Sequence, residues 1–332
     1  MKKVILTVSI VIGILSGLKS QDIRLTQAFN SPIHLNPALI GASDDMSFNL
    51  NYRNQWSGLD GGFSTARFTF FTPVLYTDNT SKLSAGLSFM NDQAGAFNNV
   101  NVNLAAAYSL KISDSGHWVS ASIYGGFVQN SIDVNDLTFD EQYVGGSFDA
   151  SNGHNEYALN NSATYGDVGF GMLWFYNPED SKINAFAGFS GHHVNTPNQT
   201  LIEDAGNLPA RFTSIAGIKF ITDGKLDFTP NVRAVSQSGA EEFAYGLYMD
   251  YRVNDETKLT LGSWYRQRNS FAFLFGVQYT KFRLGYSYDL PSFRMNQHMT
   301  AGITTHEISL SFNINQAEKQ DVEMGPNPLP FY

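Results

Sequence analysis

The chain alternates. From residue 46 onward, large apolar side chains recur at every second position over stretches of about ten residues, and each stretch ends in a turn. Met46, Phe48, Leu50 and Tyr52 interleave with Ser47, Asn49, Asn51 and Arg53. Phe243, Tyr245, Leu247, Met249 and Tyr251 interleave with Ala244, Gly246, Tyr248, Asp250 and Arg252. Phe271 to Tyr279 and Ile308 to Ile314 repeat the rhythm. A period of two sends alternate side chains to opposite faces of a strand. About fourteen such segments run from 46–56 to 303–315, with 181–190, 211–222 and 256–267 alternating least.

One face carries aromatic and aliphatic residues, the other Asn, Ser, Gly and Arg. That division suits a transmembrane antiparallel β-barrel of about fourteen strands, spanning 46–315, with its apolar set against acyl chains and its polar set toward a lumen. Closure is compulsory there, because an unpaired strand edge in hydrocarbon costs several kcal/mol per group. Tyr52, Trp56, Tyr108, Trp118, Trp174, Tyr176, Tyr251 and Tyr279 lie near strand ends, where interfacial aromatic girdles are expected. The connections agree. The long insertions 131–164, 191–210 and 290–302 follow strands five, seven and thirteen, whereas the turns after even strands are short. All three long loops then lie on the cell-surface side, and the turns after even strands, which are short, on the periplasmic side.

The rest of the chain carries no such rhythm. Lys2 and Lys3 precede an apolar run from Val4 to Leu18, the form of an export signal, with cleavage expected after Ser20 and residues 1–20 removed. Residues 21–45 and the proline-rich 316–332 fall outside the alternation and are expected in the periplasm, the tail as an extended segment, a docking segment or a plug. Loss of Lys2, Lys3 and Lys19 takes the formal charge from −9 to −12. An acidic chain is a poor match for nucleic acid or anionic headgroups. Aromatics make up 14% and charged residues only 15%, low for a surface facing water and suited to one facing outer-membrane lipid. With no cysteine, disulfides, thiolate catalysis and thiolate metal sites are excluded.

No catalytic constellation, cofactor motif or metal site emerges. His192-His193 is expected as an exposed loop pair, since neighbours on a strand diverge. His306 falls on the lipid-facing set, where a lipid hydrolase would need a serine partner that the sequence does not supply. The informative charges point inward: Arg53, Arg67, Asp167, Arg233, Asp250, Arg252, Arg266, Arg283, Asp289 and Glu307. Arginines and carboxylates confined together satisfy one another through charge-assisted pairs. Such a network either fills and rigidifies the barrel, or lines a polar channel or a seat for a partner's peptide.

Three stretches resemble a known family. Phe29-Asn30-Ser31-Pro32 followed by Leu35-Asn36-Pro37-Ala38-Leu39-Ile40-Gly41 looks like its opening NPAxxG motif, carried by Asn36, Pro37, Ala38 and Gly41. Tyr52-Arg53-Asn54-Gln55-Trp56 is similar to its YRNQW first strand. Gly302 and Thr305-His306-Glu307-Ile308-Ser309-Leu310-Ser311 are similar to its closing strand, with threonine at 305 where serine is usual. The family is PorP/SprF, the type IX secretion system membrane proteins of Bacteroidetes. The resemblance implies a non-enzymatic role in secretion and gliding. Implied partners are the C-terminal domain of a secreted cargo or adhesin, held by the external loops, and a periplasmic PorK/PorN-like ring with its lipoproteins. The alternation alone leaves a diffusion channel or substrate-specific porin as the other reading.

Overall fold

The computed structural model describes residues 22–56, 62–77, 80–134, 137–149, 162–178, 181–199, 201, 206–267, 270–291 and 304–315. Fourteen antiparallel strands close into one barrel. In chain order they are β1 (Asp45–Gln55), β2 (Phe63–Thr77), β3 (Ser81–Ala94), β4 (Phe97–Ser113), β5 (His117–Ile132), β6 (Ser162–Tyr176), β7 (Ile183–His192), β8 (Arg211–Phe220), β9 (Leu226–Gln237), β10 (Ala240–Arg252), β11 (Thr257–Arg266), β12 (Ser270–Tyr279), β13 (Phe282–Pro291) and β14 (Thr305–Asn315). Each pairs with its sequence neighbour, and β1 pairs with β14 to close the wall, Arg53 opposite Glu307.

The alternation is the reason for this closure. Leu104, Ile123 and Phe127 point outward with 65%, 69% and 70% of their surface exposed, an arrangement that hydrocarbon tolerates and water does not. Their strand neighbours Asn103, Ser122 and Val128 are buried inside. Phe273 and Leu310 face out, whereas Asn101, Arg53 and Glu307 face in. The weakly alternating segments form β7, β8 and β11, because Ala and Gly on either face lower the contrast without breaking the ladder. The long connections all lie at one end, which also carries short turns after β3, β9 and β11, and every connection at the other end is short. In the connection after β5, Tyr143–Val144 and Ser147–Phe148 form a small hairpin around Gly145 and Gly146, both at positive φ.

The segment expected in the periplasm is inside the barrel. Residues 22–43 run up the lumen, with Asp44 and Asp45 leading into β1 at the short-turn end and Asp22 at the long-loop end. A 3-10 turn (Ala28–Asn30), one helical turn (Pro32–Leu35) and a second 3-10 turn (Pro37–Gly41) make up the rise. The physical reason is apolar: Leu25, Phe29, Ile33, Leu35, Leu39 and Ile40 are all nearly solvent-free. They bury against inward residues that the polar reading of the lumen did not anticipate, including Phe71, Phe175, Phe186, Tyr248 and Trp264. Trp118 belongs to this set. Instead of joining a girdle it stacks on Phe175 within the lumen, ring centroids 6.0 Å apart. The signal segment 1–20, the tail 316–332, residues 150–161 and Gly302 lie outside the described residues.

Candidate functional site

Wall side chains hold the lumen segment by its main chain. Glu307, fully buried on β14, accepts from the backbone N–H groups of Thr26 (2.8 Å) and Gln27 (3.1 Å). Arg53 on β1 donates to Glu307 (3.1 Å) and Asp289 (3.1 Å), and Arg266 on β11 donates to Asp289 (2.7 Å). Both arginines also donate to the Thr26 hydroxyl, so two carboxylates and two guanidiniums close around one threonine. Arg24 pairs with Glu242 on β10, which also faces Arg233 (3.6 Å), and Arg233 donates to the Leu25 carbonyl (3.3 Å). Buried charges survive only when paired and hydrogen-bonded in this way.

Further along, hydroxyl and amide groups continue the pattern. Ser190 donates to the Leu35 carbonyl (2.9 Å), Ser120 to that of Ala38 (3.0 Å), Ser109 to that of Gly41 (2.8 Å) and Lys82 to that of Ser43 (2.8 Å). Asn36 caps the second 3-10 turn through the Ala38 N–H (3.0 Å). Its amide nitrogen donates to the Met172 and Phe189 carbonyls of β6 and β7. Pro37 opens that turn, where a missing N–H costs nothing. A β-carbon on Gly41 would sit 2.3 Å from the Ser120 hydroxyl, so glycine alone lets the backbone lie this close to the wall. The NPAxxG stretch is therefore the fitted foot of the lumen segment. The Arg53 and Glu307 stretches are its clasp.

At the external end, Asp22 receives Arg211 (2.9 Å) and His193 (2.7 Å), and His193 reaches Asp167 (2.8 Å) with its other nitrogen. Burial by itself would raise the Asp22 carboxyl, but Arg211 and His193 hold it well below the ordinary value. Burial alone would lower His193. Its hydrogen bonds to Asp167 and Asp22, and their charges, push it up to about 9 instead. His34, in the lumen segment, lies beside Arg211, which donates to its backbone carbonyl (2.8 Å).

The inward charges separate into groups. Arg53, Arg233, Arg266, Asp289 and Glu307 converge on residues 24–27, and Asp167 joins His193. Arg67 is buried apart from them, against Met90. Asp250 lies toward the short-turn end, accepting from Thr260 (2.6 Å), and Arg283 donates to Gln278 (2.7 Å). Arg252 is not in the lumen: at the last position of β10 it reaches over the rim to Asp227 and the Thr222 and Gly224 carbonyls. His192 and His193 are not an exposed loop pair. A φ of +55° at His193 breaks the alternation and turns both rings inward. His306 does face out, hydrogen-bonded to the Tyr286 hydroxyl (2.8 Å) and to Thr304. In the YRNQW stretch Tyr52 faces lipid, Gln55 accepts from Arg53, and Trp56 packs edge-on against Phe63. Asn54 is half-buried.

Asp22, Arg24, Thr26, Arg211 and Glu242 were not foreseen as site residues. Strand parity marks Glu242 on β10 and Arg211 on β8 as inward, since Phe243 and Phe212 beside them face out; Asp22, Arg24 and Thr26 depended on recognising the lumen segment. Two cavities, of about 720 Å³ and about 450 Å³, flank residues 22–24 at the external end. Among the described residues no group of three or more metal-ligating side chains lies close enough to hold an ion.

Solved structures with this architecture are outer-membrane barrels. The Ralstonia pickettii toluene transporter TbuX shares 13% identity (TM-score 0.52, covering 86% of this chain and 92% of that one). The TodX monoaromatic hydrocarbon channel, as a deltaS2 mutant, shares 12% (TM-score 0.54, covering 86% and 94%). Such likeness speaks to fold alone. Against curated proteins the sequence finds no significant match. The model of the type IX secretion system membrane protein family PorP/SprF matches residues 17–312, which includes the lumen segment, its foot and its clasp. On that match the chain belongs to the PorP/SprF family, an outer-membrane β-barrel of type IX secretion.

Proposed function

We propose that this barrel docks the C-terminal domain of a secreted type IX cargo or adhesin at the cell surface, through loops 131–164, 191–210 and 290–302. The observation that supports this best is the hairpin beyond β5. Tyr143, Val144 and Phe148 expose 63%, 60% and 50% of their surface on a connection outside the membrane, where no lipid covers them. Exposed aromatics on an ordered turn are typical anchors for a protein partner. On the periplasmic side, the tail 316–332 is proposed to reach a PorK/PorN-like ring and its lipoproteins. The chain is read as non-enzymatic.

Two experiments test the reading. Replacing Tyr143–Phe148 by glycine and serine should remove cargo from the cell surface while the barrel remains heat-modifiable on gels. Undiminished display would reject docking through this loop. The porin reading is favoured instead if the intact protein shows a steady open pore in planar bilayers. Silence is expected, because the protein's own chain occupies the lumen.

A further inference from the structure

The lumen reads polypeptide main chain: Glu307 takes two N–H groups, while Arg233, Ser190, Ser120, Ser109 and Lys82 each supply a donor to a carbonyl of the resident segment. The larger external cavity is bordered by Asp22, Ile23, Ile33 and His34 of the resident segment, and part of its wall is of the same kind. Asn101 and Asn103, successive inward residues of β4, are each only 8% exposed, and their Oδ1 atoms have no hydrogen-bond partner among the described residues. On β5, the strand next to β4, Tyr124 gives its one proton to Asp167 (3.1 Å), so His192 Nδ1 must donate to Tyr124 (3.1 Å). His192 Nε2 is then an acceptor, also buried and without a partner. Three buried acceptors call for donors, because each unmet polar group is costly.

The spacing narrows the class of donor. Inward residues of one strand recur every about 6.8 Å, which is also the repeat of same-side N–H groups along an extended chain. The terminal amides turn readily about their last bond, so either end can face the cavity. Four of the charged groups here are paired with one another, Asp22 with Arg211 and His193, and His193 with Asp167, while Asp92 accepts from Thr65. Among the described lining residues no unpaired cation remains to hold an anionic ligand. A volume of about 720 Å³ fits a ligand of a few residues.

We propose that this vestibule binds a short, extended, uncharged stretch of polypeptide, inserted from outside the cell along the inner face of β4 beside residues 22–23. That the stretch comes from the cargo rests on the docking reading; the site itself does not.

Titration calorimetry on the mature protein in detergent tests the proposal, with a capped peptide of alternating glycine and threonine. Saturable binding is expected, weakened by about tenfold or more in Asn101→Ala/Asn103→Ala, in line with two lost hydrogen bonds. Asn101→Ser alone, a smaller disturbance, should weaken it less and serves if the double variant fails to assemble. No binding, binding unchanged by these substitutions, equal binding of a glycine–aspartate peptide, or binding of maltotetraose in place of the peptide would each overturn it, the last by assigning the vestibule to neutral glycans. Cargo display separates the two readings. If the double variant loses peptide but still displays cargo, the peptide does not come from the docked cargo, and docking stands. If hairpin loss leaves display intact while peptide still binds, docking through the hairpin fails and the vestibule stands.

Discussion

Glu307 does more than any other single residue. It faces Arg53 across the barrel seam and accepts from Thr26, Gln27 and Asn51. Glu307→Gln keeps the shape but removes the charge that Arg53 needs, and breaking one partner of such a buried pair costs about 3–5 kcal/mol. The expected result is a lower urea midpoint and protease cleavage within residues 22–30 that the parent resists; unchanged protection would show the clasp to be dispensable. His193 gives a pH prediction. Its folded value lies above the ordinary imidazole value, so its contribution is fully present below about pH 6.5 and is lost as pH rises through about 9. Release of residues 22–24, followed by reaction of a thiol placed at Ile23, should rise between pH 8 and pH 10 and become flat in His193→Gln. His193 also shows where residue-by-residue reading fails: nothing in the letters announces the positive φ that turns both histidines inward.

At the scale of elements, the strands were legible because burial on one side and lipid on the other impose opposite demands at successive positions. The pattern of β1, β10, β12 and β14 needs no other information. The lumen segment was not legible. Its short helical turns have no lasting period, and its apolar residues look the same whether they bury in a barrel or elsewhere. Its motif was recognised while its role was not, since Asn36 and Gly41 matter through contacts with β4 to β7 that lie 68 to 153 positions away. Removing residues 22–41 should therefore leave a wall that still closes. Planar bilayers should then show conductance absent from the parent protein, and a deletion as silent as the parent would mean that another part of the chain blocks the lumen.

For the whole molecule, the parity of the connections put the long ones at one end, and the excess of outward aromatics gave the membrane. What neither could give is the filling. A lumen lined by Asn, Ser and Arg suggests water, whereas here much of the polar wall is spent on the protein's own backbone and a further patch consists of Trp118, Phe175, Phe186 and Trp264. Arg252 and Trp118 were misplaced for related reasons. A strand's end escapes the alternation that governs its middle, and an inward aromatic is predicted only when something apolar is known to sit inside.

The path of residues 22–43 constrains how the protein is made. Its leading end finishes at the cell-surface mouth although β1 starts from the periplasmic side, so the leader must travel most of the membrane's thickness within the ring of strands. The seam between first and last strand is also where Arg53 and Glu307 grip Thr26. Threading and zipping are thus coupled in the intact chain: the leader has to be inside before the first and last strands meet around it.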